Sequence, residues 1–146
     1  MQDKIEKSVD LKAPVPRVWR ALTDHREFGA WFRVDLENPF TIGEVTAGRV
    51  THPECDHLQW AALVRAIEPE RYFAFSWCPL AQDADFDKGP TTLVEFTLTA
   101  TQEGTRLEIC ESGFGALPAG PRNEALRSNT RGWNEQVHNI AAHVAA

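Results

Sequence analysis

The chain has 146 residues, of which 42% are hydrophobic and 25% are charged, and its formal net charge is −6 at pH 7. This length suits one folded domain with a core of its own, and the ordinary apolar fraction excludes a disordered chain. The acidic balance, with no cluster of lysine and arginine, argues against nucleic acid as a partner, because phosphate binding requires a basic surface.

The cysteines and the N-terminal residues predict a cytoplasmic protein. Cys55, Cys78 and Cys110 are odd in number and widely spaced, which is typical of reduced thiols rather than of a disulfide framework. The first residues lack the apolar region of a signal peptide, and no apolar run is long enough to cross a bilayer. We therefore expect a cytoplasmic location and no membrane insertion.

The first third of the chain predicts a strand and two short helices. Apolar residues alternate over residues 5–11 and indicate the strand, which a proline-rich segment at 13–16 ends. Residues 15–22 carry apolar side chains three and four positions apart, the pattern of an amphipathic helix. Asp24 is expected to cap a second helix, in which the aromatic residues within 28–32 repeat that spacing.

The rest of the chain predicts an antiparallel sheet followed by one long helix. We expect this helix over residues 122–144, with an apolar stripe through Trp133. Short turns between alternating strands favour a meander with one buried face. The element order therefore predicts an α+β fold in which a curved antiparallel sheet wraps around the C-terminal helix. The strands of the meander are predicted at residues 43–51, 58–67, 71–78, 91–101 and 105–112.

Two short segments contain side chains that can bind metals. The run "THPECDH" places His52, Cys55 and His57 close together, but no second pair follows at the spacing of a structural zinc site. In "DADFDKG", residues 83–89, the glycine falls one place late for a calcium loop, and Val94 stands where that loop needs glutamate. We interpret both segments as polar loops and expect no bound metal.

Three polar residues are candidates for a binding site. In "RLEICESGF", strict alternation turns Glu111 toward the core or a cavity, whereas a bulge near Ser112 would rotate it outward, and the sequence leaves both open. Asn134 and His138 lie one helical turn apart beside the apolar stripe of the last helix. Both are either surface residues or contacts to a ligand.

The chain resembles the START-like (SRPBCC) superfamily, which has the helix-grip fold. Within it, the chain is similar to the homologues of the C-terminal domain of the heat-shock-protein-90 ATPase activator. The similarity extends over residues 5–144 and is carried by "APVPRVWRALTD" with the following "AWF", by "IEPERYFAFSW", by "TLVEFTLTATQEGTRLEICESGF" and by "GWNEQVHNIAAHV". The terminal Gly-Trp of the family falls on Gly132 and Trp133, where we expect the glycine to permit close approach of helix to sheet.

The resemblance implies a single START-like domain over residues 1–146, with an apolar cavity between the long helix and the concave sheet. Superfamily members bind lipids, sterols, polyketides or hormones in this cavity, and some carry out cyclase or hydrolase chemistry there. The aromatic residues of the strands either line such a cavity or fill the core.

Our first hypothesis is a module that binds a small apolar or aromatic molecule and needs no cofactor. A second is a polyketide-cyclase-like enzyme, in which Glu111 or His138 acts as general acid or base. A third is a co-chaperone-like module whose apolar residues face a protein partner. The sequence leaves open whether the chain forms a homodimer. The residues expected to contact a ligand are Trp31, Trp60, Phe73, Phe75, Trp77, Phe96, Glu111, Trp133, Asn134 and His138.

Overall fold

A computed structural model describes residues 3–51, 59–77 and 91–145. The predicted loop segments at 52–57 and 83–89, with Cys55 and Cys78, lie outside these ranges. The elements are β1 (Lys4–Leu11), α1 (Val15–Thr23), α2 (His25–Phe32), β2 (Val34–Leu36), β3 (Val45–Val50), β4 (Gln59–Glu68), β5 (Tyr72–Trp77), β6 (Thr92–Ala100), β7 (Thr105–Ser112), a short 3₁₀ helix (Phe114–Ala116) and α3 (Ala119–Ala145).

The strands form one antiparallel sheet of seven strands in the order β1-β7-β6-β5-β4-β3-β2. Strands that follow one another along the chain from β2 to β7 are neighbours, and β1 closes the order by pairing with β7. The helix α3 lies against the inner face, where Trp133 contacts the rings of Phe96 and Trp77. The α+β helix-grip fold predicted from the sequence is confirmed, and the short edge strand β2 is an element that the sequence did not predict.

Asp24 separates α1 from α2, as its predicted role as a helix cap requires. Its carboxylate accepts hydrogen bonds from the backbone N–H groups of Arg26 and Glu27, two of the donors that the first turn of a helix leaves free. At the other end of α2, β2 passes so close that a Cβ on Gly29 would stand 2.3 Å from the carbonyl oxygen of Val34. Glycine at this position therefore lets the helix turn directly into the edge of the sheet.

Aromatic rings fill the interior between the sheet and the helices. Phe28 is fully buried and contacts the rings of Trp31, Phe32, Phe40 and Trp60 with centroid separations between 4.7 and 5.8 Å. Most of these pairs are edge-to-face or tilted, the arrangements that aromatic quadrupoles prefer. The rings of α2 therefore belong to one continuous core with those of the strands.

No helix of the described ranges is long and apolar enough to span a membrane.

Glu27 ties the two short helices to the end of α3. Its Oε1 accepts hydrogen bonds from Arg17 Nη1 at 2.6 Å and from His143 Nε2 at 3.0 Å, and its Oε2 pairs with Arg20 Nε at 2.8 Å. Burial raises the pKa of this carboxyl, but the hydrogen bonds from His143 and Arg17 and the charges of both arginines outweigh burial and lower the pKa from its ordinary value of 4.5. The ionised carboxylate therefore stabilises the fold above pH 4.5, and this contribution is lost as the pH falls through the lowered pKa.

Glu27→Gln is expected to lower the free energy of unfolding by about 1–2 kcal/mol at pH 7, because a neutral amide loses charge-assisted hydrogen bonds. The difference from wild type should shrink as the pH falls below the lowered pKa of Glu27, where the wild-type carboxyl is neutral as well. Urea unfolding across this pH range measures both effects, with the exposed Glu37→Gln as control. A difference independent of pH would contradict this role for the carboxylate.

Candidate functional site

Glu111 faces the interior from strand β7. The pairing of β7 with both neighbours continues without a shift through Ser112, so no bulge rotates the side chain. The residue is fully buried, so of the two orientations that the sequence left open the structure has the inward one. It stands between the sheet and α3, at the point where the last described residue of β5 and the middle of the helix meet.

Four side chains donate hydrogen bonds to this carboxylate. Trp77 Nε1 and Thr92 Oγ1 donate to Oε2 at 2.8 and 2.5 Å. Trp133 Nε1 donates to Oε1 at 2.9 Å. Asn129 Nδ2 lies 3.0 Å from each of the two oxygens. Strands β5 and β6 and helix α3 are therefore all joined to β7 through one carboxyl group.

The donors suit an ionised carboxylate. An indole nitrogen can donate but not accept, and the amide nitrogen of Asn129 likewise only donates. The partners of Glu111 include no lysine, arginine or histidine among the described residues, so hydrogen bonds and not an ion pair satisfy the buried charge. A buried charge is tolerated when its hydrogen-bonding capacity is met in this way. The lone pairs of Glu111 are thus used within the protein.

The carboxylate also fixes how the two indoles are turned. The rings of Trp77 and Trp133 are stacked, with centroids 5.8 Å apart and planes inclined by 29°. Trp133 is 2% exposed and contacts Phe32 and Phe96, whereas Trp77 is only partly buried. One indole therefore anchors α3 on the sheet, and the other reaches the surface beside it.

A small apolar cleft opens next to this tryptophan pair. Its volume is about 70 Å³, which is below the 150 Å³ or so of a cavity that encloses benzene and is room for about two waters. The cleft therefore has room for the edge of a ring as it stands. The lining residues are Phe32, Trp77, Asn129, Gly132, Trp133 and Gln136.

The large cavity that the resemblance implies is absent from the described part of the chain, where the predicted lining residues fill the core. Phe73, Phe75 and Phe96 are fully buried, and their rings pack on one another with centroids 5.8–5.9 Å apart. Trp31 donates its indole N–H to the carbonyl of Ala21 at 2.8 Å, which holds this ring in the core. Of the aromatic residues expected to line a cavity, Trp77 and Trp133 border the cleft.

Trp60 differs from the other buried indoles in its hydrogen bonding. Its ring is 7% exposed and lies against Phe32, Phe75 and Trp77. Its Nε1 is buried and has no hydrogen-bond partner among the described residues. A buried donor left in this way costs about 1–3 kcal/mol. The ring of Trp60 therefore contributes packing to the core, but its N–H contributes no bond.

Asn134 and His138 are exposed, and the structure does not bring either into the cleft. Successive residues of an α-helix are about 100° apart, so Asn134 lies about 100° from Trp133 around α3 and His138 about 140° in the same direction. Asn129 and Gln136, which line the cleft, lie about 40° and 60° away in the opposite direction. The cleft therefore lies on the opposite flank of the stripe from Asn134 and His138. The spacing of Asn129 four residues before Trp133 is the sequence signal for that flank.

The expected reason for Gly132 is wrong. A Cβ built on this glycine would meet no atom of another described residue within 4 Å, so the described strands do not approach the helix closely here. The space beside Gly132 belongs to the cleft instead.

The outer face of the sheet carries a larger hollow of about 410 Å³. Its lining is mostly polar and includes Glu6, Glu95, Glu108 and Cys110. Burial, followed by the charges of nearby glutamates, raises the pKa of the Cys110 thiol, which makes this thiol less reactive. Within residues 3–51, 59–77 and 91–145, no group of three or more histidine, cysteine, aspartate or glutamate side chains could hold a metal ion.

The fold and the buried carboxylate beneath α3 define a helix-grip domain of the START-like type. The family described as "Activator of Hsp90 ATPase homolog 1-like protein" matches residues 12–145, and the chain belongs to this family. No curated protein matches the chain.

Several solved structures share the fold. A protein from Mesorhizobium loti is 21% identical, with a TM-score of 0.78 over 97% of this chain and 96% of its own. One from Arthrobacter aurescens is 20% identical, with a TM-score of 0.81 over 97% of this chain and 86% of its own. DynU16, a protein of the dynemicin biosynthetic locus, is 28% identical, with a TM-score of 0.78 over 100% of this chain and 48% of its own. The chain thus spans about half of DynU16.

Trp133→Phe and Trp60→Phe form a matched pair, because each removes a buried indole N–H and leaves an aromatic ring. We expect Trp133→Phe to lower the free energy of unfolding by about 2–4 kcal/mol, since it takes a donor from a buried carboxylate. Trp60→Phe removes a donor for which residues 3–51, 59–77 and 91–145 provide no partner, so its cost should be smaller by about 1 kcal/mol or more. Urea unfolding followed by circular dichroism measures both. Equal losses would show that ring volume, and not the bond to Glu111, determines the stability.

Proposed function

We propose that the protein binds a small planar apolar or aromatic molecule at the cleft beside Trp77 and Trp133. The observation that carries this proposal is the buried Glu111, which fixes both indoles next to an opening with an apolar lining. Aromatic walls of fixed orientation favour a flat ligand, because little side-chain freedom is lost when it binds. The ligand enters at the flank of α3, since the core behind the tryptophan pair is filled.

The charge of Glu111 gives the site a preference among flat ligands. The described residues that line the cleft include no lysine or arginine, and the carboxylate lies directly behind both indoles. An aromatic cation gains from the negative charge and from the faces of the tryptophan rings. A neutral ring gains only the apolar contact. The proposed ligand class is therefore apolar or aromatic, and a positive charge or a hydrogen-bond donor strengthens binding.

The same observations favour binding over the two alternatives. The oxygens of Glu111 already accept four donors, and His138 is exposed, so neither is placed as general acid or base for a cyclase. Most aromatic residues of the described ranges are buried rather than displayed to a protein partner. The likeness to DynU16, which comes from a biosynthetic locus, supports a role with small molecules. The proposal retains the cytoplasmic location expected from the cysteines.

The test compares two naphthalenes of similar size, 2-methylnaphthalene and the cation 2-naphthylmethylammonium. Wild type is expected to bind both saturably, with a change in tryptophan emission as the ligand displaces water beside Trp77. Glu111→Gln should weaken the cation about tenfold or more beyond any loss for 2-methylnaphthalene, because both ligands lose an accepting oxygen behind the indoles but only the cation senses the lost charge. Calorimetry measures both affinities, and circular dichroism verifies that the variant is folded.

Two outcomes count against this proposal. If folded wild type binds neither compound saturably, the cleft is not a ligand site. If Glu111→Gln weakens both compounds equally, the carboxylate acts only through the structure of the site and not through its charge.

A further inference from the structure

Gly132 lies in the interior of helix α3, and no close contact with another described residue explains a glycine at this position. Glycine in a helix interior is less favourable than alanine by an amount that a melting curve detects. Gly29, Gly48 and Gly104 each have a reason, because a Cβ there would stand 2.0–2.3 Å from a backbone oxygen of another segment. At Gly132 a Cβ would meet no atom from the described part of the chain within 4 Å. The fold itself would accept alanine at this position.

The space that Gly132 leaves is part of the cleft. Gly132 lines the cleft directly before Trp133 and one helical turn after Asn129. A methyl group at position 132 would project from the cleft wall, where the backbone of α3 is now open. The absent side chain therefore leaves room for a flat molecule to lie against the helix.

Asn129 places a hydrogen-bond acceptor beside that space. Its Nδ2 is committed to Glu111, and a carboxylate cannot donate, so the orientation of the amide is determined. The other end, Oδ1, points away from the carboxylate, and no described residue donates to it. Because the amide N–H groups bond to a negative charge, the amide is polarised and its oxygen becomes a stronger acceptor.

Gln136, the other amide of the cleft, has no such free end. Its Nε2 donates to the carbonyl of Phe32 at 3.0 Å, and its Oε1 accepts from Asn139 Nδ2 at 3.0 Å. Of the two amides that line the cleft, only Asn129 thus offers an unoccupied oxygen.

We propose that Gly132 and Asn129 select a flat aromatic ligand that carries a hydrogen-bond donor, a phenolic O–H or an aryl N–H, at its edge. The ring lies against the backbone of α3 at Gly132, and the donor bonds to Oδ1 of Asn129. This inference rests on the proposed function, since it specifies the ligand class of the same cleft. It adds that Gly132 leaves room for the ligand and is not required by the packing of the fold.

The first experiment separates stability from binding with Gly132→Ala. We expect the melting temperature to rise by about 2–5 °C, because alanine favours the helix and meets no neighbour. The affinity for 2-naphthol should fall by about tenfold or more, because the methyl group occupies the ligand's place. Gly120→Ala, also on α3 and also without a neighbour within 4 Å, is the matched control and should bind 2-naphthol as wild type does.

The second experiment uses a pair of probes. Wild type should bind 2-naphthol about tenfold more tightly than 2-methoxynaphthalene, whose methyl ether cannot donate a hydrogen bond. Asn129→Ala should remove this preference and retain affinity for 2-methoxynaphthalene. The wild-type comparison by itself remains informative if Asn129→Ala, which also takes a donor from Glu111, fails to fold.

The outcomes distinguish the two proposals. Unchanged binding of 2-naphthol by Gly132→Ala, or a lower melting temperature, would overturn the role given to Gly132. Equal affinities of wild type for the two probes would overturn the role given to Asn129, while the proposed function would stand. If wild type binds none of the naphthalene probes, the proposed function fails and this inference fails with it.

Discussion

The arrangement of the site depends on one buried charge, the carboxylate of Glu111, and on the free-energy cost of burying it without hydrogen bonds. Four donors from β5, β6 and α3 converge on its two oxygens. Because hydrogen bonds are directional, they determine how far α3 slides along the sheet and how it is rotated. Loss of any donor leaves a buried acceptor short of a partner, which costs more than an equal loss at the surface.

The hydrogen bonds to Glu111 that stabilise the fold also hold the two tryptophans of the proposed binding site. Trp77 and Trp133 are held by their N–H groups, so their ring faces are fixed before any ligand arrives. Such preorganisation favours binding because little side-chain freedom remains to be lost. The interior on the other side of these rings is filled by Phe28 and its neighbours. Within the described ranges, the cleft proposed for a ligand therefore opens at the flank of α3, where Gly132 leaves the helix backbone uncovered.

Local patterns predicted those parts of the structure that local physics controls. Alternation along β7 made Glu111 a candidate for the inner face, and the residue type of Asp24 before a helical pattern predicted its cap. Which flank of α3 borders the cleft could not be predicted from the sequence. Polar residues lie on both sides of the apolar stripe, and only the packing of the helix against the sheet distinguishes the two sides. Asn129 looks like an ordinary polar helix residue until β7 brings a carboxylate within 3.0 Å of it.

The sequence by itself determined the order of the elements and the α+β fold, because periodicity and turn residues act over a few neighbouring positions. The inward orientation of Glu111 was decided by the tertiary structure, since the pairing of β7 with both neighbours continues without a bulge. Only the tertiary structure decided that the aromatic residues of α2 and of β4–β6 fill a core and leave a cleft of about 70 Å³. The tertiary structure likewise determined which side chains donate hydrogen bonds to Glu111. Both depend on contacts between residues far apart in the chain, and the distance between α3 and the sheet results from the packing of all the rings together.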